Sequence, residues 1–438
     1  MRRPRSVVSP RRQIPPHRHC HCHDWAPGSE GQAWHKDYPI GGHPRCHRSR
    51  WALLFYYPQD VSDDMGPTAV QSSSQYYMDP RSGMPEVALA VEAGTVVIAH
   101  YDIWHRATAN TGDRTRYMLK FLFARRRDPT VPAWDARTAA WTPPPGDHRT
   151  LWQHMWHWHR GEAKPAPAPE DPGIIATHIA ALGDPDPLAR RHAADDLGTI
   201  RAPTAVPALA ARLRDEDEAV RLNAAYALGS AGEDWVATLL ASLREEALAD
   251  IDLTEAKTAD NGHGTNPTAP AASHALAVSG ELALEGLQQA LRDEEWYVRA
   301  CAADALANMG AAARPALAAL TAATEDPHWW VRRNAIEALR RGGEFPPGAA
   351  ECVSRALSDD DYRVRRNAAM AMRDVPAAAE ESVAALRTML RDENRYNRFY
   401  SLEALRRLSK THEAAELALY DELMTARWCS LTIPGSLY

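Results

Sequence analysis

The stretch GQAWHKDYPIGG, residues 31–42, sets His35 and Asp37 one residue apart between an aromatic and a glycine-rich turn. On an extended backbone, side chains at i and i+2 point the same way, so this pair offers an imidazole and a carboxylate to one point. A second pair of the same form exists, His100-Tyr101-Asp102, in a chain with 19 His. The pair gains meaning only with a third ligand. A non-haem Fe(II) that activates oxygen takes two imidazoles and one carboxylate on one face and leaves its other positions open. The run EAGTVVIAHYDIWHRATANTGDRTRYMLKFLF, residues 92–123, can supply the second imidazole. It reads as a turn at Glu92-Ala93-Gly94, a strand, a loop carrying His105, and a second strand. Arg116 stands eleven residues after His105. Tyr117, Leu119, Phe121 and Phe123 then alternate onto one face, with Arg116 and Met118 on the other. A buried arginine facing a metal centre calls for an anion, and a planar dicarboxylate is the fitting partner. Arg114 shares its parity and is either a second anion contact or a solvated charge near a turn.

These pieces resemble a known family. W-H-K-D at 34–37, G-T-V-V-I-A-H at 94–100, W-H-R at 104–106 and N-x5-R at 110–116 are similar to the phytanoyl-CoA dioxygenase-like branch of the Fe(II)/2-oxoglutarate oxygenases, over residues 17–125. The resemblance implies a double-stranded β-helix (jelly-roll) domain. It implies Fe(II) held by His35, Asp37 and His105, and Arg116 on the distal carboxylate of the cosubstrate 2-oxoglutarate. His100 then falls at a strand end as the non-ligand. Family members often carry a Ser two residues after the distal His. Here that place is Ala107, and Thr108 is the nearest hydroxyl expected to touch the cosubstrate. The family domain usually has a longer stretch before its HxD than the 34 residues here, so an N-terminally shortened domain is expected. Hydroxylation of a small-molecule substrate is the implied default.

The elements around these residues are legible. RWALLFYYPQD reads as a strand whose Trp51, Leu53, Phe55 and Tyr57 form one face, a barrel core rather than an aromatic cage. GPTAV, residues 66–70, reads as a turn opening another strand. HRHCHCHDW, residues 17–25, puts four His on one strand face. Such a row cannot close a tetrahedron around one ion without bending the chain, so it reads as a strand beside the site. LWQHMWHWHRG, residues 151–161, reads as a helix, and EAKPAPAPEDPG as an extended Pro-Ala linker.

Beyond the linker the chain repeats. Asp is followed six residues later by Arg in Asp184/Arg190, Asp215/Arg221, Asp293/Arg299, Asp326/Arg332, Asp359/Arg365 and Asp392/Arg398. Seven residues on come Leu197, Leu228, Leu306, Leu339, Met372 and Leu405. Spacings of 31, 78, 33, 33 and 33 residues, with A-A-x-A-L helices, signal an α-solenoid. The long gap holds a degraded unit at AASHALAVSG. Asp is expected to cap the next helix, and Arg to reach an Asp of its own or the adjacent unit. This ladder serves stacking and needs no ligand. The pattern resembles HEAT repeats of the alanine-rich, PBS-lyase-like kind over residues 173–410, which implies a protein-binding scaffold. Trp329-Trp330 at a helix start is a candidate contact spot.

The expected division is a basic arm (1–16), the jelly-roll domain (17–141), a helix and linker (142–172), the HEAT solenoid (173–410) and a C-terminal cap and tail (411–438). Residues 1–160 carry 21 Lys+Arg and 14 Asp+Glu, the remainder 29 and 43. Five arginines of the basic part lie in the first twelve residues, which reads as a solvated arm rather than a nucleic-acid site. No apolar run is long enough for a membrane span. Six scattered Cys without a CxxC pair point to free thiols and a cytoplasmic setting. The rival reading is a non-catalytic interaction scaffold carrying a degenerate oxygenase domain.

Overall fold

The computed structural model describes residues 20–36, 51–77, 81–101, 103–124, 129–132, 155–162, 169–232, 235–259, 270–375 and 382–424. Its two compact units are the strands with the first helices of the helical region, and most of the later helices.

Among the described residues, seven strands make two antiparallel sheets. They are β1 (Cys20–Trp25), β2 (Trp51–Tyr56), β3 (Thr68–Gln71), β4 (Glu86–Ala88), β5 (Val96–His100), β6 (His105–Ala107) and β7 (Arg116–Ala124). One sheet has the order β1-β7-β2-β5, the other β4-β3-β6. In β2 the alternation sends Leu53 and Phe55 inward, followed by Tyr57, and all three are fully buried. They meet Val61, Met65, Tyr101 and Met118 in one core, as the sequence pattern predicts. Burial of a side chain such as Phe55 stabilises by about 1.5–3 kcal/mol. In β7, Arg116 and Met118 are buried while Tyr117 is exposed. The two sheets meet where Thr68 Oγ1 of β3 lies 3.6 Å from Met118 Sδ of β7. His105 lies not in a loop, as expected, but at the start of β6.

The helical region is a run of antiparallel pairs. The later units pair Leu284–Ala290 with Trp296–Met309, Leu317–Ala323 with Trp329–Gly342, Ala349–Arg355 with Tyr362–Asp374, and Val383–Met389 with Arg395–Leu408. The long gap in the repeat is filled by the helix Val236–Ala259 and the short helix Ala271–Ser279. Ala300, Ala302, Ala303 and Ala305 are fully buried or nearly so. Their small side chains let neighbouring long helices approach closely.

The Asp/Arg ladder does more than expected. Arg299, Arg332, Arg365 and Arg398 each donate through Nη1 to the backbone carbonyl of their own unit's Asp, at 2.7–2.9 Å. Arg299 and Arg332 also grip the next unit's Asp326 and Asp359 with two bonds each, at 2.7–3.0 Å, and Arg365 reaches Asp392 with one, at 2.7 Å. The Asp is not the helix cap. Its carboxylate accepts the backbone N–H two residues on, as Asp359 does from Asp361 (2.9 Å) and Asp392 from Asn394 (2.7 Å). Those second residues are the N-caps: His328, Asp361 and Asn394 accept from the N–H groups of Trp330, Arg363 and Tyr396. Two acceptors in series thus finish these three turns, whereas Glu295, before Trp296–Met309, makes no side-chain cap bond. Trp330 is buried to 2 %, so it is core and not a contact spot.

Candidate active site

Backbone pairing brings the two predicted imidazoles together. His35 and His105 form a bridge with mutual N–H···O bonds of 3.0 and 2.9 Å. Their ring centroids are 4.5 Å apart. Each ring lies with Nδ1 3.0 Å from a backbone carbonyl, that of Ala33 for His35 and of Ile103 for His105. A carbonyl can only accept, so both rings carry their proton on Nδ1 and present the Nε2 lone pair. That is the tautomer a metal ligand needs, with the orienting partner already in place. Asp37, the third predicted ligand, lies outside the described residues. Among the described residues no three His, Cys, Asp or Glu side chains gather in a metal-holding group.

Arg116 is buried to 2 % on the inner face of β7. Its Nη1 lies 3.3 Å from Thr68 Oγ1, and its Nε has no hydrogen-bond partner. No carboxylate pairs with it among the described residues. Burial pulls its pKa down, with the Tyr57 hydroxyl opposing. Tyr57 is fully buried, and its hydroxyl too lacks a partner of good geometry. Burial raises its pKa, while Thr68 and Arg116 lower it. A guanidinium and the Tyr57 hydroxyl therefore converge with unused hydrogen-bonding capacity beside Thr68, at a real desolvation cost. Thr108 is elsewhere. It follows β6 with parity opposite to His105, and its hydroxyl donates to the Pro67 carbonyl at 2.9 Å. The hydroxyl next to Arg116 is that of Thr68.

Lys120 was not singled out in the sequence. It shares the inner face of β7 with Arg116, and its Nζ lies 3.4 Å from His105 Nε2 and 5.8 Å from the Phe55 ring centroid. The available signal was a lone cation, at the parity of Arg116, in the otherwise apolar run YMLKFLF. Arg114 is exposed, with its Nη2 3.3 Å from Met65 Sδ, and does not face the site.

The rest of the motif is scaffolding. Asn110 is buried to 1 %. Its Nδ2 donates to the carbonyls of Trp25 (2.7 Å) and Arg114 (2.9 Å), and its Oδ1 accepts from Gly112 N–H. It ties the β6–β7 turn to β1 and so fixes where Arg116 begins its strand. Trp25 Nε1 donates to the Thr108 carbonyl at 2.9 Å. Gly66, at φ +69°, lies against both; a Cβ there would sit 2.7 Å from the Thr108 oxygen and from Trp25 Cδ1. The Cys and His row contributes β1, paired with β7 from Cys20↔Phe121 to Trp25↔Arg116. His17 and His19 lie outside the described residues, and His23 is exposed.

Residues 5–118 match the family of phytanoyl-CoA dioxygenase, and residues 175–257 and 284–373 match HEAT repeats. No curated protein matches the chain. Among solved structures, the complex of CpcE and CpcF of phycocyanin lyase from Nostoc sp. PCC7120 is similar at 22 % identity, over 60 % of this chain and 100 % of that one, with a TM-score of 0.27. A designed armadillo repeat protein bound to the peptide (KR)4 is similar at 16 % identity, over 53 % of this chain and 99 % of that one, TM-score 0.29. The non-heme alpha ketoglutarate dependent epimerase SnoN from nogalamycin biosynthesis is similar at 17 % identity, over 26 % of this chain and 49 % of that one, TM-score 0.21. No helix among the described residues is long and apolar enough to cross a membrane. The chain carries a phytanoyl-CoA dioxygenase-like segment followed by HEAT repeats.

Proposed function

We propose that residues 17–141 form a jelly-roll oxygenase domain dependent on Fe(II) and 2-oxoglutarate that hydroxylates a small-molecule substrate. In this reading the repeats of residues 173–410 are a scaffold for a protein partner, joined through the helix and linker of 142–172 and closed by 411–438. The observation that carries the oxygenase reading is Arg116, a buried guanidinium whose Nε has no partner, beside the hydroxyls of Thr68 and Tyr57. Such a group is costly in an empty core and makes sense opposite an anion.

The residues suit the implied groups. His35 and His105 present Nε2 lone pairs from neighbouring positions of one bridge, and Asp37 would add its carboxylate to them. Arg116 would hold the distal carboxylate of 2-oxoglutarate, with Thr68 and Tyr57 donating beside it. Lys120 puts a second positive charge next to His105 Nε2, where it would balance the anionic, metal-facing end. Phe55, packed near His105 with ring centroids 6.0 Å apart, keeps that wall apolar and water out. When bound, Fe(II) with 2-oxoglutarate would let O₂ act as the oxidant for C–H hydroxylation, 2-oxoglutarate giving the other two electrons as it becomes succinate and CO₂.

Anaerobic titration of the metal-free chain with Fe(II) and 2-oxoglutarate tests this. A weak visible charge-transfer band is expected, and His105→Ala should abolish it. Arg116→Ala should weaken 2-oxoglutarate by about tenfold or more while Mn(II) binding, read by electron paramagnetic resonance, persists. A folded, iron-loaded chain without the band refutes the oxygenase reading and leaves the chain as a scaffold with a degenerate oxygenase domain.

A further inference from the structure

The long helices of the last four complete repeats place equivalent residues at a constant interval of 33. Trp296, Trp329, Tyr362 and Arg395 form one such column; Ala300, Arg333, Arg366 and Phe399 form the column one turn further on; Asp304, Glu337, Met370 and Glu403 form the next. Residues four apart share a helix face, so the three columns run side by side.

Most charges on this face are matched. Glu337 is bound by Arg340 and Arg341 at 2.6 and 2.8 Å, and Asp374 by Arg340 and Arg373 at 2.8 and 2.9 Å. Glu403 is bound by Arg406 at 2.9 Å. Arg333 and Arg366 are the exceptions. They are buried to 2 % and 7 %, and Arg333 Nη2 and Arg366 Nε have no hydrogen-bond partner. Neither has an ion pair among the described residues. Arg333 bonds only its neighbour Asn334. The carboxylate four residues beyond it, Glu337, is already taken. Arg366 has Met370 at that place, where other units carry an acid. Its contacts are the faces of Tyr362 and Tyr396, at 5.2 and 5.5 Å. Burial lowers the pKa of each; for Arg333 the charges of Glu337 and Asp304 oppose this and Arg366 and Arg363 add to it, and for Arg366 three tyrosines oppose and Arg363 adds.

An aromatic shelf adjoins them. Trp296 stacks on His328 with centroids 3.7 Å apart, His328 stacks on Trp329, and the guanidinium of Arg363 lies 3.4 Å over the Trp329 ring. Two buried arginines, each with a donor nitrogen left without a partner, beside a preformed flat shelf cost the free protein stability. They are the donor set that a ligand with discrete carboxylates would satisfy.

We propose that this face, from Trp296 to Arg407, binds an acidic peptide of a partner protein. Arg333 and Arg366 each take a side-chain carboxylate, and the Trp296–His328–Trp329 shelf packs the peptide's chain. This rests on the scaffold reading of the repeats and specifies the partner's chemistry. The flanking Asp304, Glu337 and Asp374 oppose a continuous phosphate backbone. Separate carboxylates fit between those acids.

The test is fluorescence anisotropy of the full chain, at low salt, with a fluorescein-labelled peptide of alternating glutamate and alanine. Parallel probes are the lysine–alanine and serine–alanine peptides and a thymidine oligonucleotide. Only the glutamate peptide should bind, and more weakly as salt is raised. Arg333→Met combined with Arg366→Met should weaken it at least tenfold, while Arg355→Met, which removes an exposed pair with Glu325, should not. The thermal midpoint of the double variant should hold or rise. Equal binding of the lysine peptide or the oligonucleotide, or wild-type affinity in the double variant, overturns the acidic-peptide site and leaves the scaffold reading standing. A lowered midpoint assigns the two arginines to structure and overturns the site as well. Binding by no peptide of any charge overturns both.

Discussion

His328 makes the stability of the repeats depend on pH in a calculable way. It is the N-cap of the helix Trp329–Gly342, where its Nδ1 accepts the Trp330 N–H at 3.2 Å. Its ring also stacks on Trp296. Protonation would turn that acceptor into a donor and put a cation against three arginines. Burial is the main cause that pushes its pKa down to about 4; Asp326 opposes, and Arg299, Arg332 and Arg363 add to the lowering. The folded pKa lies below the unfolded value of about 6.5. The unfolded chain therefore binds the proton first as pH falls. The contribution of the neutral ring is complete above about pH 6.5 and is lost progressively down to about 4. A shift of that size corresponds to at most about 3.4 kcal/mol. The ring is only half-buried, so screening reduces this to about 1–2 kcal/mol. Asparagine can cap the helix but does not titrate. Urea unfolding of the wild type and of His328→Asn, followed by far-UV circular dichroism from pH 7.5 to 4, isolates the term, because other titrations cancel in the difference. The wild type should lose about 1–2 kcal/mol relative to the variant over that range. A pH-independent difference would falsify the assignment of a neutral, capping His328.

Two further perturbations follow from geometry. Asp359→Ala removes the two-bond grip on Arg332 and the acceptor for Asp361 N–H. Breaking such a pair should cost about 2–4 kcal/mol, less than a fully buried pair because Arg332 keeps its carbonyl contacts; a double-mutant cycle with Arg332→Ala should show coupling above about 1 kcal/mol, and strict additivity would contradict the ladder. Gly66→Ala forces a side chain into left-handed backbone and onto Trp25 and the Thr108 carbonyl. It should destabilise by about 2 kcal/mol or more in thermal unfolding, and a neutral effect would mean the turn is not rigid.

The repeats were legible because stacking demands one residue pattern every 33 positions. What the pattern hid was which acceptor caps the helix. Asp359 and Asp361 are both short acids before the helix, and only the backbone path decides that the first closes the turn and the second caps. In the strand region, alternation located β2, β5 and β7 and put Arg116 on the inner face. Cross-strand neighbours are set by register, which a single sequence does not encode. Thr68 reaches Arg116 through the packing of one sheet against the other, and Thr108, nearer to His105 in sequence, is turned away to Pro67. Lys120 was readable by parity alone. The isolation of Arg366 was foreshadowed by Met370, but that of Arg333 was not, since Glu337 could have served it and serves Arg340 and Arg341 instead.

The ladder has a direction. Arg299, Arg332 and Arg365 each reach back to their own unit's carbonyl and forward to the next unit's carboxylate, as Arg299 does to Asp293 and Asp326. A segment running from Asp326 to residue 358 therefore begins with the acceptor its predecessor needs, and its Arg332 seeks an acceptor that another copy of the same segment also offers. Such a segment is a self-compatible cassette. Duplicating it in tandem leaves every joint chemically identical to one already present, so the array can lengthen or shorten by unequal recombination without any compensating substitution. Repeat number is thus free to drift while the joints stay constant, and the faces of individual repeats, where Met370 replaces an acid, become the part that selection can edit one copy at a time.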